Sequence, residues 1–472
     1  MNMKIMCAFS AAVVTALSAA ACGSSAAKDE SSESFVPTEN IEVEKTDQID
    51  EIPEGADNEL VFIGIADINP SKANPEKSTE LTLFEDKGGK MGFHRTTFFG
   101  QYDDLAACVM ANKDVPDIFN LNWESFPNLA LRGMAQPIDD IVNFDDPLWT
   151  DVKDDADQYM LGGRHYVAPL DFDVASMIVY DSDLVDAEGL EDPYELYING
   201  EWTQEKWAEI MREFVGNATG DTVRYGINGY YKPQMVESTG KTLVNFDRET
   251  NTFSSNLMDP DIESVENMLY DLNKEGLLNN EWIGNAREAF KANCLFYAMG
   301  AWGYSANNGP DEDDNWRVVP IPAYTKDPQK ITSSNTKSYL WIKGSTKNEA
   351  MKCWFECCRL AYTDPEYKEV SRQKFMENSP YWTDEMYDVM MDVNGPDYFK
   401  IFDYCYGLDN ATGDPNAYNG IIAFTDVLYK ESSQPNVEGE QKTWAQIREE
   451  HSATLDSVIK DVNENIKKLP NE

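Results

Sequence analysis

Histidine, basic charge and long apolar runs are what this chain has least of. Three histidines, His94, His165 and His451, are scattered over 472 residues, which excludes a His-rich metal site. Against 84 Asp+Glu there are 39 Lys+Arg, a formal net charge of −45. A surface of that sign repels phosphate backbones, and no basic patch offsets it, so a nucleic-acid reader is excluded. Anionic membrane surfaces are also disfavoured unless the chain is tethered. Beyond the first 21 residues no segment reaches the roughly 18 uninterrupted apolar residues of a membrane-spanning helix. Cysteine is sparse as well. Six follow Cys22, namely Cys108, Cys294, Cys353, Cys357, Cys358 and Cys405, too few and too irregular for a disulfide framework. Cys353, Cys357 and Cys358 cluster on a helical pattern, yet no second cysteine pair or nearby histidine completes a metal or redox site, so buried free thiols are expected.

Signatures of catalysis are missing too. Gly240-Lys241-Thr242 has the tail of a phosphate-binding loop, but Met235 stands where its leading glycine belongs. No G-x-G-x-x-G follows a strand, and Gly303-Tyr304-Ser305-Ala306-Asn307 lacks the closing glycine of a nucleophile elbow. Asp311-Glu312-Asp313-Asp314 lacks the alternation and the glycine of a calcium loop. With 84 acids, carboxylate pairs such as Asp171 and Asp173 arise by chance and are weak grounds for an enzyme. The expectation is a protein without catalysis, metal or cofactor.

What is present starts with an address. Lys4 precedes an apolar stretch, Ile5 to Ala21, ending in small residues before Cys22-Gly23-Ser24-Ser25. Residues 1–21 therefore read as a cleaved signal, and Cys22 resembles the lipidated cysteine of a bacterial lipoprotein. Ala19 stands where that motif usually has leucine, and an ordinary signal-peptidase site is the alternative. Residues 22–58, acidic and rich in Ser and Ala, suit a solvated tether.

From Glu59 onward the chain, 42% hydrophobic and 12% aromatic overall, has ample core material. At this length two lobes are expected. Strand-like runs (60–65, 93–99, 117–121) alternate with helical ones (76–86, 102–111), the pattern of a mostly parallel sheet. Helices are also expected over 204–215, 262–274 and 444–469, and one opening on a Thr346–Glu349 capping box.

A series of blocks follows in order: Val115-Pro116-Asp117-Ile118-Phe119, Gly133-Met134-Ala135-Gln136-Pro137-Ile138-Asp139, Gly162-Gly163-Arg164-His165-Tyr166-Val167-Ala168-Pro169, Ile178-Val179-Tyr180-Asp181, Glu188-Gly189-Leu190, Gly200-Glu201-Trp202-Thr203, Phe290-Lys291-Ala292-Asn293 leading to Ala298-Met299-Gly300-Ala301-Trp302, and Trp316-Arg317-Val318-Val319-Pro320. From about residue 60 to the C-terminus this resembles the extracellular solute-binding proteins of ABC importers, in particular the sugar-binding group. Gln204-Glu205 and Asp181 depart from the family's usual residues.

The resemblance implies an α/β fold of the two-lobed, type II periplasmic-binding-protein kind, with ligand between the lobes. Lobe 1 would take residues 59–169 and 323–377, and lobe 2 residues 170–322 and 378–472. Crossovers are expected at Pro169–Asp173, at Pro320–Ala323 and near 375–380, with a thin, wet interface between lobes. The implied function is capture of a sugar or oligosaccharide by a lipid-anchored monomer on the outer face of the bacterial cell membrane, for delivery to ABC permease subunits. A non-sugar cationic solute such as a polyamine is the alternative, and a surface glycoside hydrolase a more distant one.

A sugar site needs planar polar groups for hydroxyls and aromatic rings for the C–H faces. Trp302 and Tyr304 lie in a glycine-flanked loop that the resemblance points at the cleft. Asn122 and Trp123 follow a strand end, where ligand loops belong. Asp171, Phe172 and Asp173 sit at the first crossover. Tyr230 and Tyr231 close a strand-like run, and Asp67 follows the first strand.

Overall fold

Leu60, Phe62 and Ile63 leave no polar face on the first strand, Glu59–Gly64, so it must lie between layers. It does. Lys90–Arg95 and Ile118–Asn120 flank it in parallel, and Tyr339–Trp341 pairs antiparallel with the latter, closing a four-stranded first sheet. Helix Thr79–Asp86, capped by the Ser78 side chain, and helix Gln101–Ala111 make the crossovers. The fourth strand comes from more than 200 residues downstream, so the chain leaves this lobe and returns.

The second sheet runs in the order Trp316–Pro320, Met177–Asp181, Cys294–Met299 and Tyr225–Gly229. Its last pair is parallel and the others antiparallel. Helices Gln204–Gly216 and Pro260–Lys274 cover it, burying Trp207, Ile210, Met211 and Phe214 from the first and Ile262, Val265 and Leu269 from the second. Asp259 caps the second of these helices.

Between the sheets lies a third, of three strands: Asp171–Val174 antiparallel to Ile331–Lys337, which runs parallel to Phe399–Ile401. The first crossing falls where the sequence places it. The second does not: Pro320–Ala323 is the end of a second-sheet strand and its turn, and the crossing is 331–337. Residues 375–380 hold the end of helix Pro365–Asn378, and the third crossing is 399–401. Ile331-Thr332-Ser333-Ser334-Asn335-Thr336-Lys337 is nearly all polar, so no hydropathy pattern marks it as a strand; its partners across the sheet do.

The computed structural model describes residues 45–71, 77–97, 100–325, 330–408, 425, 427–435 and 439–469. The signal and lipidation expectations, including Cys22, lie outside them, as does most of the tether. Residues 45–58 are not solvated linker: Ile49 is buried in the first lobe's core, Ile52 packs against it, and the Ile52 N–H donates to the Lys87 carbonyl. Among the described residues no helix is long and apolar enough to cross a membrane. The six described cysteines are free thiols, with Cys353 and Cys357 sulfurs 3.9 Å apart.

Contrary to a thin, wet interface, one apolar cluster joins the lobes. Phe126 of the first lobe packs on Phe402 and Tyr404, just past the third crossing. The same cluster includes Leu269 of the second lobe and Trp444 and Ile459 of the C-terminal helix Trp444–Ile466.

Candidate functional site

The lobes meet at three aromatic rings. Trp123 lies in the turn after Ile118–Asn120, and Asn122 and Ser125 lock that turn. The Asn122 N–H donates to Ser125 Oγ (2.9 Å), the Ser125 hydroxyl donates to the Asn122 carbonyl (2.8 Å), and Asn122 Oδ1 accepts from the Glu124 N–H and the Tyr102 hydroxyl. Trp123 then stacks on Tyr230 of the second lobe, centroids 5.8 Å apart at 12°, and tilts against Tyr406 at 5.6 Å. The Tyr230 and Tyr406 hydroxyls lie 3.1 Å apart.

Two glycines make this meeting possible. Gly229 has φ 111°, and a Cβ there would sit 2.0 Å from the Ala298 carbonyl oxygen, so only glycine lets the strand end turn Tyr230 into the cleft. A Cβ at Gly407 would lie 2.1 Å from the Phe126 carbonyl oxygen, so glycine lets the segment carrying Tyr406 press on the Trp123 loop.

Behind the rings is a cavity of about 20 Å³. Trp123 closes it from the first lobe. Tyr230, Gln234 and Glu237 come from the second, the last two on the short helix Lys232–Glu237, and Ser333 and Asp403 from the crossing segments. Burial, joined by the neighbouring charge of Asp403, pushes the Glu237 carboxyl up to about 8 despite a hydrogen bond from the Ser333 hydroxyl. Burial likewise raises Asp403 to about 6, against hydrogen bonds from the Tyr429 hydroxyl and the Cys405 N–H (2.9 Å). Rings with hydrogen-bonding groups behind them suit a small polar ligand with apolar faces. Ligand pockets usually measure about 300–1,000 Å³, so the walls must part to admit one.

Of the residues singled out in the sequence, Trp123 and Tyr230 are brought together here. Asn122 and Phe172 support the surroundings: the first fixes the Trp123 turn, and the second is buried beneath the Lys400 ammonium, 4.7 Å from its ring centroid. Asp171 and Asp173 turn to Lys337 (3.0 and 3.4 Å). Tyr231 is not a platform; it is buried in the core edge-on to Trp207. Tyr304 is buried too, stacked on Trp382 at 4°. Both are large rings beside strand ends where the core closes over them. Trp302 is half-buried on the second lobe's core and does not line the cavity; its loop backs the wall at Ala175, whose carbonyl lies 3.6 Å from where a Gly300 Cβ would be. Asp67 accepts from the Asn69 N–H (2.9 Å) in a turn and is not among the residues lining the cavity. Sequence reasoning missed Tyr406, Gln234, Glu237 and Asp403. Nothing local marks them, although Asp403-Tyr404-Cys405-Tyr406-Gly407 is an aromatic run closed by glycine.

Comparison with known proteins identifies the family and the fold. The family model for bacterial extracellular solute-binding proteins matches residues 98–357, and the chain belongs to that family. Its members bind solutes outside the cytoplasm. The fold is shared with an ABC transporter associated binding protein of Bifidobacterium animalis subsp. lactis, solved with beta-1,6-galactobiose. That chain is 17% identical with a TM-score of 0.55, and the match covers 86% of this chain and 98% of that one. It is shared also with the GacH receptor of Streptomyces glaucescens, solved with acarbose (15%, TM-score 0.57, covering 85% and 98%). A third is an ABC substrate-binding protein of Listeria monocytogenes, solved with cycloalternan (15%, TM-score 0.53, covering 87% and 98%). The expected two-lobed α/β architecture is thereby borne out. The chain has no match among curated proteins.

Proposed function

We propose that this chain is the capture component of an ABC importer, held at the outer face of the bacterial membrane by a lipid on Cys22. It takes up a sugar or oligosaccharide as a monomer and presents it to membrane permease subunits. The observation that carries the reading is the Trp123–Tyr230–Tyr406 cluster: rings from both lobes meet over buried polar groups, the combination a saccharide requires. The fold and the sugars named for its structural neighbours support it. We place the lobe boundaries at the three crossing strands, 171–174, 331–337 and 399–401.

The first lobe gives the cavity an aromatic wall, while both acids come from the second lobe and the crossing segment. A glycosidase needs two carboxyls flanking the scissile bond, so this arrangement speaks for binding rather than hydrolysis.

Calorimetric titration with a panel of mono- and disaccharides tests the reading. Removing a central aromatic anchor costs ~2 kcal/mol, about thirtyfold in affinity, so Trp123→Ala should weaken binding by that factor while the protein stays folded. Undiminished affinity in that variant would remove Trp123 from the site. The anchor is checked by detergent partitioning, expected for the exported protein and lost in Cys22→Ala.

A further inference from the structure

The polar groups behind the three rings are unbalanced. Gln234, Glu237 and Asp403 are each more than nine-tenths buried and all line the cavity. Buried Asp117 pairs with a cation, Lys347 at 2.9 Å, whereas fully buried Glu266, like Glu237, accepts from a serine hydroxyl, that of Ser432. Among the described residues no lysine, arginine or histidine pairs with Glu237 or Asp403. The groups that face them are each other, the Ser333 and Tyr429 side chains and the Cys405 N–H. Gln234 Oε1, buried in the same wall, has no hydrogen-bond partner among the described residues. The Ser333 hydroxyl donates to Glu237, and the Tyr230 and Tyr406 hydroxyls share a hydrogen bond. What the cavity lacks is positive charge to set against its two carboxyls.

A neutral polyol brings acceptors along with its donors and carries no charge. An ammonium group brings three donors, no acceptor and one positive charge, and it is attracted to aromatic faces such as the three already here. Resting on the saccharide reading above, we propose that the captured sugar carries a free amino group, held as its ammonium by Glu237, Asp403 and Gln234 Oε1 beside the Trp123, Tyr230 and Tyr406 rings. Two adjacent buried carboxyls do not both ionise without a cation, and Glu237 keeps its proton at neutral pH. When the ammonium arrives, the Glu237 carboxylic acid gives its proton to solvent, and the resulting carboxylate pairs with the intact ammonium. No other bond changes.

The test is titration calorimetry at pH 7 with glucosamine, galactosamine and mannosamine, each beside its parent hexose and its N-acetyl form. Runs in two buffers of different ionisation enthalpy count protons, and spermidine serves as an amine without a sugar ring. At least one amine should bind tenfold or more tighter than its matched hexose and N-acetyl form, releasing about one proton. Glu237→Gln, isosteric with the protonated acid, should abolish the proton release and the amine preference, with melting monitored on the same sample. A hexose binding as tightly as its amine overturns the amino-group assignment and leaves the saccharide reading standing. An amine preference unchanged in Glu237→Gln overturns the assignment of the site. Spermidine binding with no sugar of any series overturns the saccharide reading itself.

Discussion

His165 sits between two carboxylates, Asp139 Oδ1 2.8 Å from Nδ1 and Asp157 Oδ1 3.1 Å from Nε2. Burial alone would lower its pKa, but the two carboxylates outweigh that and hold it above the ordinary imidazole value. Asp139 is correspondingly held at about 2: its burial is overcome by hydrogen bonds from His165 and Arg164. Arg248, from the second lobe's hairpin Val244–Asp247/Thr252–Ser255, reaches Asp157 at 3.3 Å, so the cluster also ties the lobes. A group whose folded pKa is raised adds stability that is fully present below its unfolded pKa, about 6.5 for histidine, and lost as pH rises through the folded value. Thermal melts of the protein and of His165→Gln should therefore differ most near pH 6 and converge towards pH 9. A difference that stays constant or grows with pH would show that His165 acts by packing alone.

Elements were legible in the sequence wherever their pattern was local. Helix Gln204–Gly216 appears within a residue of expectation because Trp207, Ile210, Met211 and Phe214 form one apolar stripe. Its start is also local, with the Thr203 side chain accepting from the Lys206 N–H. The capping box expected at Thr346–Glu349 does not form. That helix begins at Asn348 with no side-chain cap, and Lys347, in the N-cap position, instead reaches out to buried Asp117. The box that does form, Thr443 with Gln446, opens the C-terminal helix. A short polar motif thus nominates helix starts, and tertiary contacts choose among them. The cleft was half legible for the same reason: Trp123 and Tyr230 follow strand ends, whereas Glu237 and Asp403 matter only because the crossing sheet brings them together. Gly407 is the element-scale test of that assembly. A methyl group driven against the Phe126 carbonyl must displace the Tyr406 segment or the Trp123 loop, and overpacking of this kind costs ~1–3 kcal/mol. Gly407→Ala should lower the melting temperature and weaken saccharide binding together. Unchanged melting and binding would mean that the contact relaxes freely.

At the scale of the whole molecule, two kinds of contact oppose each other across the cleft. Beside the crossing strands, Phe126 packs on Phe402 and Tyr404, Tyr404 packs on Phe246 and Phe253 of the second lobe's hairpin, and Trp444 and Ile459 of the C-terminal helix join the same apolar cluster. That side is a buried joint whose separation would expose apolar surface. At the mouth the lobes touch through the Trp123–Tyr230 stack and the Trp123–Tyr406 contact, and aromatic pairs of this kind are worth about 0.5–1.5 kcal/mol each beyond their burial. Opening should therefore be a rotation that keeps the joint and parts the rings, since a sugar ring cannot enter a cavity of about 20 Å³ otherwise. Ligand favours the closed arrangement because only there do both walls touch it. Solution scattering of the ligand-free protein should give a larger radius of gyration than the closed conformation, and the tightest saccharide at saturation should reduce it. Trp123→Ala should shift the ligand-free protein further open, because it removes the stack and leaves the Phe126 contacts with Phe402 and Tyr404 in place. A scattering curve unmoved by a calorimetrically verified saturating ligand, in both proteins, would show that the lobes form one rigid body and that the rings move aside by side-chain rotation alone.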